Sequence, residues 1–328
     1  MKRSCALICL CALGPACGPG PLERAFADAA RIPNLASLVL ERDGVIEREQ
    51  YYDGSGPDTP HDVRSVTKTV TSLLVGIALS RGCLRSLDQT LGDLLGPDAP
   101  ADPAKAAISL RDILTMSAGF KWDELGNPDV YNSWALAPDQ IAFTLAQPLT
   151  TTPGTVFDYN TGTFHLLSVI LTESCAPTPE FAQRSLFVPL GIGARQWETD
   201  ARGIANGGAG LQLTTRDLLA LGRLLLDGGR FAGKQVVATA FLADAFASHI
   251  ATGDSPIYGT PGYGYGIWIG GAGTFVVAEG YGGQFIFVAP RSRAVVVATA
   301  NWIGLRSSAG TDFDRIFQLI VTRILPAL

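Results

Sequence analysis

Histidine is scarce in this sequence, with only His61, His165 and His249 among 328 residues. No H-E-x-x-H segment and no Cys/His cluster accompanies them, which excludes the common zinc-hydrolase patterns. No glycine-rich loop leads into a helix with a lysine, so phosphoryl transfer is excluded as well. Charge is sparse too, at 17% of residues, with a formal net of −5 and no run of one sign. That balance speaks against nucleic acid or an anionic membrane surface as partner. Beyond the N-terminus the longest apolar stretch, around Val70 to Leu79, is too short to span a bilayer. Internal repeats are missing. So are a G-x-S-x-G elbow and the alternating βαβ units that an α/β-hydrolase needs. What is there is a globular balance, 47% hydrophobic, in a chain long enough to bury a large core.

The N-terminus has its own character. Lys2 and Arg3 precede a short apolar stretch from Ser4 to Leu13, and Gly14, Pro15 and Ala16 break it with small residues. This is the pattern of a secretory signal over residues 1–17, and it predicts export to a periplasm or beyond. The alternative, a buried helix of the mature protein, fits less well with so short a run ended by Gly-Pro. Four cysteines (Cys5, Cys9, Cys11, Cys17) lie in this segment as small apolar side chains. Cys17 after Ala16 has a faint likeness to a lipid-attachment site, but Gly14 stands where such sites prefer leucine. Cys83 and Cys175 remain, each just past an expected apolar helix. In an oxidising compartment they can pair, if their Cα atoms approach closely enough.

The remaining chain reads as strands at both ends with helices between. A short amphipathic helix is expected near Leu22 to Ala30. Strands follow at Ser37 to Leu40 and Val45 to Tyr52, joined by the hairpin signal Asp43-Gly44. A helix over Ser65 to Arg81 is apolar around most of its circumference and belongs inside the protein; Gly82 ends it. Ser109 with Asp112, and Thr214 with Asp217, form helix-start pairs. Further helices are expected around Leu166 to Leu171 and Thr215 to Leu226. Strands are expected at Tyr263 to Ile269, Thr274 to Glu279, Gln284 to Ala289 and Ala294 to Ala300, with a turn at Pro290 to Arg293. Phe313, Ile316, Phe317, Ile320 and Ile324 give a closing helix one apolar face. The economical architecture is α+β: one antiparallel sheet from both termini, flanked by the terminal helices, with a helical subdomain inserted. The catalytic domain then spans 22–328. Its helical part covers about 66–208, and its sheet part about 31–60 plus 209–328.

The chemistry concentrates at Ser65-Val66-Thr67-Lys68. At i and i+3 the hydroxyl and the amine share one helix face. The helix start aims free N–H groups and the positive dipole end at the same spot. Burial and the dipole both disfavour the ammonium, as a lysine base near neutral pH requires. The same N–H groups can hold an oxyanion. A chance S-x-x-K is common, but a bland surface copy would not open an almost wholly apolar helix.

The segment Asp62-Val63-Arg64-Ser65-Val66-Thr67-Lys68-Thr69-Val70-Thr71-Ser72 resembles the nucleophile region of serine β-lactamase-related hydrolases. That group includes class C β-lactamases, D-alanyl-D-alanine peptidases, nylon-oligomer hydrolases and esterases. Leu110 to Gly119, Pro189-Leu190-Gly191-Ile192 and Gly207-Gly208-Ala209-Gly210-Leu211 extend the likeness in order along the chain. It implies a β-lactamase/DD-peptidase-like fold, an acyl-enzyme mechanism and no metal or organic cofactor. Phe157-Asp158-Tyr159-Asn160-Thr161-Gly162 occupies the place of the Tyr-x-Asn motif. Tyr159 would then relay protons, and Thr161 stands where asparagine is usual. Tyr281-Gly282-Gly283 replaces the third motif, usually Lys-Thr-Gly or His-x-Gly. By the same likeness the Gln284 N–H would join that of Ser65 in an oxyanion hole.

The resemblance assigns the third-motif Lys or Thr to a substrate carboxylate, and neither Tyr281 nor Gly282 supplies that charge. An esterase or amidase on small ester, amide or peptide-like substrates is therefore the expectation. A β-lactamase or D-alanyl-D-alanine carboxypeptidase is the alternative, and a non-catalytic cell-wall binding or sensor protein is the alternative of another class. His165 reads as structural. Trp122, Trp268 and Trp302 either line a pocket or fill the core. The loops Lys121 to Asn132 and His249 to Pro261 are expected to shape the pocket.

Overall fold

The computed structural model describes residues 18–253, 259–302 and 309–328. The expected signal segment with Cys17, and part of the loop from His249 to Pro261, lie outside the described residues. Strand β1 (Leu35–Arg42) turns through Asp43 and Gly44, both at positive φ, into β2 (Val45–Tyr51). Two short strands, β3 (Pro60–Asp62) and β4 (Gln212–Thr214), pair with each other away from the main sheet. The main sheet continues with β5 (Ile250–Ala251), β6 (Gly262–Tyr263), β7 (Trp268–Ile269), β8 (Val276–Gly280), β9 (Gln284–Ala289) and β10 (Ala294–Ala300). Its order is β2-β1-β10-β9-β8-β7-β6-β5, antiparallel throughout.

The seven helices that matter here are α1 (Pro21–Ala29), α2 (Val66–Ser80), α3 (Leu110–Leu114), α4 (Asp129–Ala135), α5 (Thr161–Ser174), α6 (Thr215–Leu226) and α7 (Ala309–Leu319). Side-chain alternation sends one face of the sheet to α6 and the other to α7. On the first face Gly222 of α6 sits so close that an added Cβ would lie 2.4 Å from Val295 and 3.0 Å from Ile286. On the second, Phe313 and Phe317 of α7 meet Phe285 and Phe287, with ring centroids 4.8 and 5.4 Å apart. Helix α1 packs beside α7.

Helix α2 is buried at every residue from Val66 to Ala78, and α5 from Thr161 to Leu171. Each fully buried Val, Leu or Ile contributes about 1.5–3 kcal/mol, so the α2–α5 pair anchors the molecule. Two of the buried polar side chains of α2 are tied to backbone carbonyls of neighbouring segments. Thr69 Oγ1 donates to Gly266 O at 2.7 Å, and Thr71 Oγ1 donates to Gly207 O at 2.7 Å. Both expected helix-start pairs are reciprocal capping boxes, Ser109–Asp112 on α3 and Thr214–Asp217 on α6.

Three expectations need adjustment. Tyr263 to Ile269 is not one strand but two short ones, because the chain turns back at Gly266 (φ +67), which lies against the backbone of Lys68. The strand expected at Thr274 to Glu279 runs Val276–Gly280. Ile320 and Ile324 lie in a wider π-type turn beyond α7. Among the described residues no helix is long and apolar enough to cross a membrane.

Candidate active site

Ser65 precedes the first residue of α2 on a constrained turn. Val63 N donates to Leu211 O, and Asp62 Oδ1 accepts from the Arg64 N–H at 2.9 Å. Arg64 itself adopts φ +50, in the left-handed region that costs a non-glycine residue about a kcal/mol or more. These contacts hold Ser65 at the mouth of a cavity of about 690 Å³.

Lys68 stands one turn along, almost fully buried. Its Nζ lies 2.9 Å from Ser65 Oγ, 2.8 Å from Thr161 Oγ1 and 2.9 Å from Gly208 O. Burial pulls this amine down to about 7, with Glu124 working upward and Arg64 downward. Thr161 and Gly208 can take two N–H bonds of a neutral amine, which leaves its lone pair for the Ser65 hydroxyl.

Tyr159 lies just ahead of α5. Its ring stacks on Trp268 (5.6 Å, 17°), and the Lys68 Nζ stands 4.7 Å from its centroid. Its hydroxyl hydrogen-bonds Ser65. Burial, with Tyr263 and Glu124 adding to it, holds the phenol well above its usual value despite the bond to Ser65. Tyr159 is thus a protonated phenol at neutral pH.

The structure brings Ser65, Lys68, Tyr159 and Thr161 together, but it divides the third motif. Tyr281 lines the cavity, with its ring 6.0 Å from that of Trp302. Gly282 and Gly283 do not line it; they pack against Trp302 and Ile316, where added Cβ atoms would lie 2.4 and 2.5 Å away. Gln284 is buried inside the sheet, donating to Ala300 O (2.7 Å) and accepting from Ala300 N (3.1 Å). The close backbone approach falls earlier, at Gly280, where an added Cβ would lie 2.4 Å from Val63 O. Strand β7 pairs β8 only at Val276 and Val277, so the far end of β8 is the free edge beside Ser65. The hairpin loop after it turns away toward α7, which takes Gln284 with it. The backbone closest to the Ser65 segment is thus that of Gly280, at the end of β8, rather than that of Gln284. Thr161 meets Lys68 rather than the cavity.

Sequence reasoning missed Glu124, Arg64 and Glu279. Glu124 Oε1 accepts from Thr161 Oγ1 at 2.6 Å; its Oε2 accepts from the Thr161 N–H and from Trp122 Nε1, both at 2.9 Å. Its one sequence signal was its place in the loop expected to shape the pocket. That loop does so, supplying Glu124 and Leu125, while the described part of the other loop supplies nothing. Arg64 lies 4.6 Å from the Trp302 ring centroid, pairs with Asp62 and donates to Tyr131 Oη at 2.9 Å. Glu279 lines the cavity with neither carboxyl oxygen hydrogen-bonded among the described residues. Burial pushes its carboxyl well above the usual range.

Of the other residues, Trp122 fills the core against Trp134, whereas Trp268 and Trp302 line the cavity. His165 is buried with Nε2 3.0 Å from Asp200 Oδ2. Cys83 and Cys175 are free thiols in hydrogen-bond contact. Burial, then Cys83, pushes the Cys175 thiol up to about 12.

A family model described as Beta-lactamase matches residues 21–319, across both the sheet and the helices that hold this site. The chain belongs to the beta-lactamase family. It is a hydrolase by that membership. A 6-aminohexanoate-dimer hydrolase of Paenarthrobacter ureafaciens is 24% identical over 93% of this chain and 87% of its own length. Among solved structures, EstCE1, a hydrolase with promiscuous acyltransferase activity, superposes with a TM-score of 0.72 at 19% identity, covering 90% of this chain and 98% of that one. The octameric penicillin-binding protein homologue from Pyrococcus abyssi gives 0.70 at 19%, covering 92% and 76%. At these identities the solved structures speak to the fold, which is the one the resemblance implied.

Proposed function

We propose that this chain is a serine hydrolase that cleaves small esters or amides through an acyl-enzyme. The observation that carries the reading is the 2.9 Å contact between Ser65 Oγ and a Lys68 amine drawn down to about 7 by burial. At neutral pH a large fraction of such an amine is unprotonated and can accept the hydroxyl proton.

As Ser65 Oγ attacks the substrate carbonyl carbon, its proton passes to Lys68 Nζ. The carbonyl oxygen becomes an oxyanion, held by the Ser65 N–H at the helix start and by backbone N–H at the Gly280–Tyr281 edge. Collapse breaks the bond to the leaving group, which takes a proton from the Tyr159 phenol while Lys68 returns one to Tyr159. Water then attacks the ester on Ser65, the same groups carry its proton back to Oγ, and the acid is released.

The cavity favours neutral or amine-bearing substrates over carboxylates. No lysine is among its described lining residues, and Arg64 is already paired with Asp62 and Tyr131. Glu124, Glu279 and Asp314 line the same cavity. The relative named for 6-aminohexanoate-dimer hydrolysis supports an amide among the substrates.

The test compares a short-chain p-nitrophenyl ester, the 6-aminohexanoate dimer and a chromogenic cephalosporin, with Ser65→Ala as control. Ester or amide turnover that vanishes in Ser65→Ala, with slow cephalosporin opening, is the expected result. Fast cephalosporin opening favours a β-lactamase. Failure of Ser65 to label with a fluorophosphonate favours a non-catalytic binding protein.

A further inference from the structure

A lysine that serves as a base must be held in one place and must not be stripped of its proton altogether. Both conditions are set by what surrounds it. Lys68 has two hydrogen-bond partners besides Ser65, and one of them, the Gly208 carbonyl, is fixed by the main chain. The other, Thr161 Oγ1, is a rotatable hydroxyl with one proton to give. It gives that proton to Glu124 Oε1 at 2.6 Å, so its lone pairs face Lys68 at 2.8 Å. A carboxylate only accepts, which fixes the direction of the whole chain. Glu124 is in turn held by the Thr161 N–H and the Trp122 indole. A short, charge-assisted bond of this kind is among the stronger ones a side chain makes.

We propose that Glu124 is the positioning residue of this site: through Thr161 it orients the Lys68 amine toward Ser65 and sets the pH at which that amine becomes a base. The inference rests on the proposed function, since it concerns the base of that reaction. The two bonds laid end to end keep the carboxylate within about 5.4 Å of Nζ, where one unit charge acts strongly on another even after partial screening. The other charged or titratable groups around Lys68 do not replace it. Arg64 precedes Ser65 on the same segment and opposes the ammonium, with its own charge met by Asp62 on β3. Tyr131 on α4, Tyr159 before α5 and Tyr263 on β6 stay neutral phenols, as their raised values show. Glu279 on β8 and Asp158 beside Tyr159 are both drawn toward the uncharged acid by burial. Glu124 is therefore the anion that counts.

The test reads the second-order rate at which a fluorophosphonate labels Ser65, as a function of pH, so that no natural substrate need be known. Removing the anion with Glu124→Gln makes the ammonium harder to keep. The acidic limb of the labelling profile should then move down by about one to two pH units, while the plateau rate falls because the single amide oxygen cannot accept from Thr161 Oγ1 on one side and from the Thr161 N–H and the Trp122 indole on the other. Thr161→Val keeps the charge but breaks the chain; it should lower the plateau about 10- to 100-fold, and Thr161→Ser should restore it. A merely structural glutamate would lower stability without moving the limb. An unmoved limb in folded Glu124→Gln overturns the inference. If Glu124→Gln does not fold, the decision passes to Thr161: a Thr161→Val plateau at the wild-type rate overturns it, and a loss rescued by serine upholds it. Labelling that persists in Ser65→Ala would instead bring down the hydrolase reading itself, a distinguishable failure.

Discussion

The side chain of Lys68 shows how burial makes chemistry. A surface lysine is a cation at any physiological pH; this one is drawn to about 7 because it has almost no solvent. With the ester substrate, kcat/KM should rise with pH through about 7 and level off above it if the neutral amine is the base, as proposed. An acidic limb lying wholly below pH 5 or above pH 9 would contradict this assignment. Lys68→Ala should reduce acylation about 10²- to 10⁴-fold. Glu279 tells the complementary story. Its carboxyl is buried without a hydrogen bond, and its folded-state pKa is raised above the unfolded value. The folded state therefore binds this proton more tightly than the unfolded chain, and stability falls as pH rises above the ordinary glutamate value. Glu279→Gln removes that penalty. The Tm advantage of the variant should be larger at pH 8 than at pH 5, by calorimetry at matched salt. An equal or reversed difference would show that the carboxyl ionises freely where it stands.

At the scale of elements, two helices and one loop bring the site together. Helix α2 carries Ser65 and Lys68 at its start, α5 carries Thr161 at its start, and the Gly207–Gly208 backbone lies across both. An added Cβ at Gly208 would lie 2.7 Å from Thr161 Cγ2 and 3.4 Å from Lys68 Nζ. Gly208→Ala should therefore push the loop off Lys68, costing about 1–3 kcal/mol of stability and lowering activity together. A variant as stable and active as the wild type would mean the loop yields freely. The far ends of the same helices carry Cys83 and Cys175, whose thiols touch. With glutathione disulfide as oxidant, the two thiols should give up two protons and two electrons to form one bond, releasing two glutathiones. Mass analysis should show a loss of two hydrogens, with a gain of about 2–4 kcal/mol in stability as the unfolded chain becomes constrained. Two persistently free thiols in the folded protein would refute the pairing.

For the whole molecule, the site is a seam between sheet and helices. Strand β8 offers its free edge beside Ser65, α2 and α5 supply the reacting groups, and Trp302 and Phe313 close the cavity on the α7 side. In the proposed reading, the position of Arg64 on this seam bears on selectivity. Because Asp62 and Tyr131 already engage it, a carboxylate-bearing β-lactam meets no free cation among the described lining residues, and an uncharged ester should be the better substrate. Arg64→Ala should not selectively impair the cephalosporin relative to the ester; a selective loss would make Arg64 the carboxylate anchor.

The sequence by itself determined the elements whose physics is local. The Asp43-Gly44 hairpin, the two capping boxes, the buried helix after Ser65 and the i, i+3 meeting of Ser65 with Lys68 all follow from neighbours a few residues apart. Tyr159 was legible through its motif. Tertiary structure alone decided the rest. Glu124 and Thr161 lie 37 residues apart and meet only because the loop folds over the start of α5. The Gln284 side chain bonds to Ala300, 16 residues away, which only the pairing of two strands brings about. The free edge near Gly280 depends on where β7 stops pairing with β8, and no local pattern records that. The desolvation that draws the Lys68 amine down and pushes the Glu279 carboxyl up is likewise a property of the packed molecule, since it is set by how much water the assembled layers exclude.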